Sequence, residues 1–249
     1  MTIADHDIIT TRYFFPRPGE PADIEYVDAG DARLACHRAD FGHRVTVVHF
    51  HGNGEVVADY LPGFAHHLDE LGANAFFAEY RGYGGSTGTP RLAAMLDDVD
   101  AIHDAVGRPD HQIIAFGRSI GSIYAIEFAS RHPDIAGLVI ESGIADVLER
   151  ILVRAEPTTL GATREQMEQQ FDQLFDHRAK LADYPGPTLV MHALHDHLVD
   201  HSHAERLTQW AGERAQLVTF DEGNHNTIFP RNRDAYLAHL GEFIDQVEV

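Results

Sequence analysis

The apolar run at residues 113–116 leads directly into Gly117-Arg118-Ser119-Ile120-Gly121, and a helix-forming run at 122–129 follows. A buried strand that bends into a helix with one serine at the bend is the setting a G-x-S-x-G nucleophile elbow requires. The bend puts the serine in a sparsely populated backbone geometry and lifts its hydroxyl above the sheet. Glycines flank it because a Cβ at either position would collide with the neighbouring strand and helix. The bare five-residue pattern carries little weight; its strand–turn–helix setting carries most.

Short apolar, β-branched bursts recur along the chain with helical stretches between them. Residues 24–27 and 34–37 read as two short antiparallel strands, and 45–50 as a buried strand. Val57, Leu61, Phe64, Leu68 and Leu71 share one helical face, with the regular helix expected to start near Pro62. Residues 73–78 form the next strand and 92–106 a helix. The elbow strand and its helix follow, the helix stopping before Pro133. Strands at 136–140, 188–191 and 216–220 and a closing helix at 234–247 complete the pattern. Such alternation predicts a doubly wound, mostly parallel sheet covered on both faces. Between 144 and 185 it breaks into a polar, helix-prone stretch, read as a helical insertion after the sixth strand that forms a lid or a subunit surface. No linker or repeat interrupts the chain, so residues 1–249 read as one domain.

At 249 residues, with 44% hydrophobic and 23% charged residues, the chain has the make-up of a soluble globular protein. Its net charge of −20 argues against nucleic acid or an anionic membrane as partner. The one cysteine, Cys36, forms no internal disulfide, which fits a reducing compartment. The start, Met1-Thr2-Ile3-Ala4-Asp5-His6-Asp7, has neither the basic head nor the apolar core of a signal peptide. With no apolar run of membrane-spanning length, the expected location is the cytoplasm.

Ligands in open α/β sheets bind beyond the carboxyl ends of the strands, and polar chemistry collects there. The strand at 45–50 runs into His51-Gly52-Asn53-Gly54-Glu55. A backbone N–H of this turn, that of Asn53 or alternatively Gly54, can pair with the N–H of Ile120 as an oxyanion hole. The strand at 188–191 runs into His192-Ala193-Leu194-His195-Asp196-His197-Leu198-Val199-Asp200. A carboxylate there can orient an imidazole over the serine; Asp196 is the favoured residue, Glu141 and Asp146 are alternatives, and Asp200 suits a helix cap. The last strand leads into Asp221-Glu222-Gly223-Asn224-His225-Asn226-Thr227, which puts His225 where a general base belongs in the order Ser, acid, His.

Two other clusters favour bland readings. Gly82-Tyr83-Gly84-Gly85-Ser86-Thr87-Gly88 lacks the Gly-Lys-Ser/Thr of a phosphate loop and reads as a structural turn. His192, His195, His197, His201 and His203 stand close in sequence, but neighbouring loop positions seldom converge on one ion, so no metal is expected. Arg118 is read as an ion-pair partner of a nearby acid, with a substrate carboxylate as the alternative.

Taken together, His51-Gly52-Asn53-Gly54, Tyr80-Arg81-Gly82-Tyr83-Gly84-Gly85-Ser86, Gly117 to Gly121, His192 to Asp196 and Gly223-Asn224-His225-Asn226 resemble a serine hydrolase of the α/β-hydrolase superfamily. The turn at Arg81, the arginine before the serine and the asparagine after His225 are similar to its small depalmitoylase-like and prolyl-peptidase-related branch. The resemblance implies Ser119 as nucleophile, Asp196 as acid and His225 as base. It also implies a small-molecule acyl substrate, carboxylic ester or related, and no cofactor. The chain departs from the pattern at Glu79, where many relatives carry Asp, and at Ala193, where glycine is common. It also lacks the N-terminal cysteine cluster of membrane-bound depalmitoylases, which argues against an acylated-protein substrate. A non-catalytic binder on the same fold, or triad-dependent acyl transfer or perhydrolysis, are the alternatives.

Overall fold

A computed structural model describes residues 2–61 and 63–247. Eight strands, β1 Glu25–Ala29, β2 Ala32–Ala39, β3 Val45–Phe50, β4 Ala73–Ala78, β5 Ile113–Arg118, β6 Gly137–Glu141, β7 Thr188–Ala193 and β8 Ala215–Phe220, form one sheet in the order β1-β2-β4-β3-β5-β6-β7-β8. The first two strands pair antiparallel, as does β2 with β4; every other pairing is parallel. β3, β4, β6 and β7 are buried along their whole length, as strands covered by helices on both faces must be.

The register is what builds a site. Phe50 lies opposite Ala78 and Gly117, Arg118 opposite Glu141, Glu141 opposite Met191, and Ala193 opposite Phe220. The carboxyl ends of the parallel strands are therefore level, and the loops that leave them open onto one rim.

The helices are α1 Asp7–Tyr13, α2 Phe64–Glu70, α3 Asp98–Val106, α4 Gly121–Arg131, α5 Val147–Leu152, α6 Arg164–Phe175, α7 His177–Asp183, α8 Ser202–Ala211 and α9 Ile228–Val247. Three differ from the pattern read in the sequence. The helix expected from residue 92 starts at Asp98, after a separate 3-10 turn at Ala94–Leu96 that buries Met95 and Leu96 without regular helix. The closing helix starts at Ile228 rather than 234. Pro230 falls in its first turn, where its missing N–H costs no helical bond, and the chain kinks at Asn232, whose side chain donates to the Glu222 and Ile228 carbonyls. Helix α1 has no counterpart in the sequence reading. The expected helix start at Pro62 lies outside the described residues.

Residues 144–185 contain α5, α6 and α7 and no strand. Helix α6 opens with a capping box in which Thr163 accepts from the Gln166 N–H and the Gln166 side chain accepts from the Thr163 N–H. It buries Met167, Phe171 and Phe175, spaced four apart on one face.

Candidate active site

The bend after β5 holds Ser119 at φ 54°, one of two non-glycine residues in the left-handed region among those described. Its N–H donates to the Glu141 carbonyl at 2.8 Å, which ties the bend to the neighbouring strand. A Cβ on Gly117 would stand 2.6 Å from the Ser122 Cα, and one on Gly121 would run into the Phe50 carbonyl. Both glycines are thus required by the close passage of strand, bend and helix.

His225 sits over this serine. Its Nε2 lies 2.8 Å from the Ser119 hydroxyl, and its Nδ1 lies 2.7 Å from Asp196 Oδ2. All three residues are buried. The N–H groups of Leu198 and Val199 donate to Asp196 Oδ1 at 2.8 and 2.9 Å. Burial pushes the Asp196 carboxyl up, but His192, at 3.3 Å, and His225 more than offset it and hold the group well below the usual carboxylate range. An ionised Asp196 can accept the Nδ1 proton of His225, an arrangement that leaves Nε2 free to face the Ser119 hydroxyl. The other carboxylates considered are engaged elsewhere. Glu141 pairs with Arg118 and accepts from Tyr236, Asp146 caps α5, and Asp200 accepts from the Ser202 N–H.

Asn53 and Ile120 line the same cavity as Ser119, and neither backbone N–H is used in the turn and loop hydrogen bonds of the described residues. Gly54 takes φ 75°, so a left-handed residue shapes this turn. Two acids hold it, the half-buried Glu55 and the buried Glu79. Glu55 accepts from the Gly52 N–H at 2.7 Å and pairs with Arg118. Glu79 accepts from His51 Nε2 at 2.6 Å and from the Val57 N–H at 3.0 Å. His51 donates its other proton to the Gly52 carbonyl at 2.8 Å. Burial acts against a charged His51, but Glu79 more than offsets it and raises its pKa.

Arg118 takes the ion-pair reading: it bridges Glu55 and Glu141, and it also donates to the His225 carbonyl at 2.9 Å. That last bond makes Arg118 a positioning residue for the imidazole, a role that no sequence signal marks.

The cavity at Ser119 measures about 240 Å³. Sequence reasoning missed four of its walls: Tyr13 at the end of α1, Phe15 just after it, Arg150 in α5 and Arg154 just past it. The Asn53 side chain accepts from the Phe15 N–H at 3.0 Å and donates to the Tyr13 carbonyl, binding the N-terminal segment to the turn after β3. Of the five clustered histidines, His192 and His203 are buried and His195 and His197 exposed. Among the described residues, the group with metal-ligand spacing is His103, Asp110 and His132. It lies at the opposite end of β5 from Ser119, and its histidine Nε2 atoms already pair with Asp110 and Asp100. The Gly82–Gly88 stretch is a turn whose Ser86 and Thr87 hydroxyls accept from N–H groups of β2.

An eight-stranded, mostly parallel sheet with a serine at the strand-to-helix bend and an imidazole and carboxylate on later strand ends defines an α/β hydrolase. Within that class the chain belongs to the family described as Hydrolase_4, serine aminopeptidase, S33, whose profile matches residues 42–167. Protein YfhR of Escherichia coli K12 is 28% identical over 209 residues, covering 80% of this chain and 69% of its own. The α/β hydrolase domain-containing protein aho-3 of Caenorhabditis elegans is 29% identical over 208 residues, covering 80% of this chain and 57% of its own. Among solved structures, the ferulic acid complex of Est1E from Butyrivibrio proteoclasticus superposes with a TM-score of 0.75 at 18% identity, over 89% of this chain and 98% of that one. The Pyrococcus furiosus esterase Pf2001 gives 0.72 at 18% identity, over 93% and 99%.

Proposed function

We propose that this hydrolase cleaves carboxylic esters or related acyl compounds through a Ser119–His225–Asp196 triad and an acyl-enzyme. The observation that carries the reading is the unbroken hydrogen-bond chain from Asp196 through His225 to the Ser119 hydroxyl. His225 Nε2 takes the serine proton as Oγ attacks the acyl carbonyl, and Asp196 stabilises the imidazolium that results. The N–H groups of Ile120 and Asn53 hold the oxyanion. His225 then protonates the leaving group and activates the water that releases the acid. Two of the similar structures, Pf2001 and Est1E in complex with ferulic acid, belong to proteins named for ester substrates or their acids, which is in keeping with this substrate class.

Residues 144–185 act as a lid in this reading, since Ile144, Arg150 and Arg154 wall the cavity. The chemistry needs no cofactor, and the substrate is a small molecule rather than nucleic acid or membrane. A cytoplasmic setting is consistent with Cys36, whose burial pushes its thiol up to about 12 and keeps it from redox chemistry. No helix among the described residues is long and apolar enough to cross a membrane.

Release of alcohol from short-chain p-nitrophenyl esters tests the reading. Turnover that falls by about four orders of magnitude in Ser119→Ala supports it. Equal turnover in the two proteins refutes it and favours a binding protein.

A further inference from the structure

The net charge of −20 makes carboxylates the rule on this chain, yet the cavity at Ser119 is lined by Arg118, Arg150 and Arg154 and by no Asp or Glu. Arg118 is neutralised by Glu55 and Glu141. The other two are not. The Arg154 guanidinium donates to the Arg12 carbonyl at 3.0 Å and lies 5.6 Å from the ring centres of Tyr13 and Phe15. Arg12 donates in turn to the Arg154 carbonyl. The half-buried Arg150 lends only its carbonyl, to the Tyr13 hydroxyl, and its guanidinium has no hydrogen-bond or ion-pair partner among the described residues.

Many arginines elsewhere are paired with acids, Arg17 with Asp59, Arg38 with Glu25, Arg81 with Asp98 and Asp31, Arg131 with Asp97, Asp100 and Glu127, although Arg214 binds only carbonyls. The guanidinium groups of Arg12, Arg150 and Arg154 act on the Tyr13 hydroxyl without an acidic partner among the described residues and repel one another; that two of them wall the cavity at Ser119, which no carboxylate lines, is the informative point. A cationic mouth inside an anionic molecule concentrates and orients a small anion that the rest of the surface repels. Arginine is the side chain best matched to a carboxylate, which it grips with two parallel N–H bonds.

We infer that Arg150 and Arg154 form an anion subsite at the mouth of the cavity, and that the preferred substrate is an ester carrying a free carboxylate, such as a half-ester of a dicarboxylic acid. Ile120, Ile144 and Val199 supply an apolar wall in the same cavity, which suits a short methylene spacer between the scissile ester and the carboxylate. A singly charged group fits better than a phosphate dianion, because the field of the whole chain opposes each added negative charge. The inference rests on the ester-hydrolase reading and names its substrate class.

The test compares ethyl hydrogen glutarate with ethyl pentanoate, of similar length and neutral, by ethanol release at physiological ionic strength. The wild-type kcat/KM ratio is expected to favour the half-ester by about tenfold, the scale of one charge-assisted pair. Arg150→Gln or Arg154→Gln should bring the ratio to about one, mainly through KM, and Arg164→Gln, on the far helix α6, should keep it. A wild-type ratio of one or less, or a ratio that survives both substitutions, overturns the inference. If neither ester turns over, calorimetry on Ser119→Ala still decides. Tighter binding of the half-ester, weakened by Arg150→Gln, upholds the subsite while the hydrolase reading fails; equal affinity for the two esters overturns it.

Discussion

At the scale of single residues, the site is a set of collisions avoided and protons held. Gly121 passes so near the Phe50 carbonyl that any side chain moves the backbone. Gly121→Ala should therefore destabilise the fold by about 1–3 kcal/mol, read as a lower thermal midpoint, and should displace Ser119 with it. In the proposed mechanism Asp196 acts through charge and geometry together. Asp196→Asn keeps the shape but lets His225 take the wrong tautomer, so kcat/KM on a short ester should fall by about 10⁴. Near-full activity would transfer the acid role to another carboxylate. Arg118 holds the His225 carbonyl and neutralises two acids. Arg118→Gln should thus cost about 3–5 kcal/mol in urea unfolding, because it strands the buried Glu141 carboxylate, and should lower kcat more than it raises KM.

At the scale of elements, the turn after β3 is held in place by partners far away in sequence. The His51–Glu79 pair joins the ends of β3 and β4, with both side chains at most 1% exposed. Glu79→Ala takes away the buried hydrogen-bonding partner of His51 and should lose about 3–5 kcal/mol. Glu79→Asp, one methylene shorter, should lose less in the same urea titration. These elements also show what was legible in the sequence. β3 and β4 were readable to the residue because an all-buried strand is a mostly apolar burst, broken here only by Thr46, His49 and Asn74, and the elbow was readable because only glycine fits at 117 and 121. The starts of α3 and α9 were not. Apolar spacing at 92–96 matches a helix although the chain makes a 3-10 turn there, and the Asn232 kink depends on a carbonyl ten residues away. Tyr13, Phe15, Arg150 and Arg154 were invisible for the same reason: each reaches the cavity through contacts that span the fold, and no local period encodes them.

At the scale of the whole molecule, buried histidines set the pH range of stability, with two opposite signs. Burial lowers His177 to about 4 and holds His49 well below its ordinary value. The unfolded chain binds these protons near pH 6.5 and the folded one does not, so the stability they contribute is present above that pH and is lost as pH falls toward 4. For His177 the full loss is about 3 kcal/mol. His51 is raised by Glu79, so its contribution is present below pH 6.5 and is lost as pH rises through its folded value. The urea midpoint should therefore peak near neutrality and fall on both sides, and Glu79→Gln should flatten the alkaline fall. A midpoint that rises steadily from pH 6.5 to 4 would contradict the acid limb. All of this serves one claim, that the fold holds an activated serine at residue 119. Intact mass before and after a fluorophosphonate probe tests it most directly. The geometry predicts a single adduct that maps to Ser119 and is lost in Ser119→Ala. Folded protein that takes up no adduct, or takes it up equally in the variant, would contradict it.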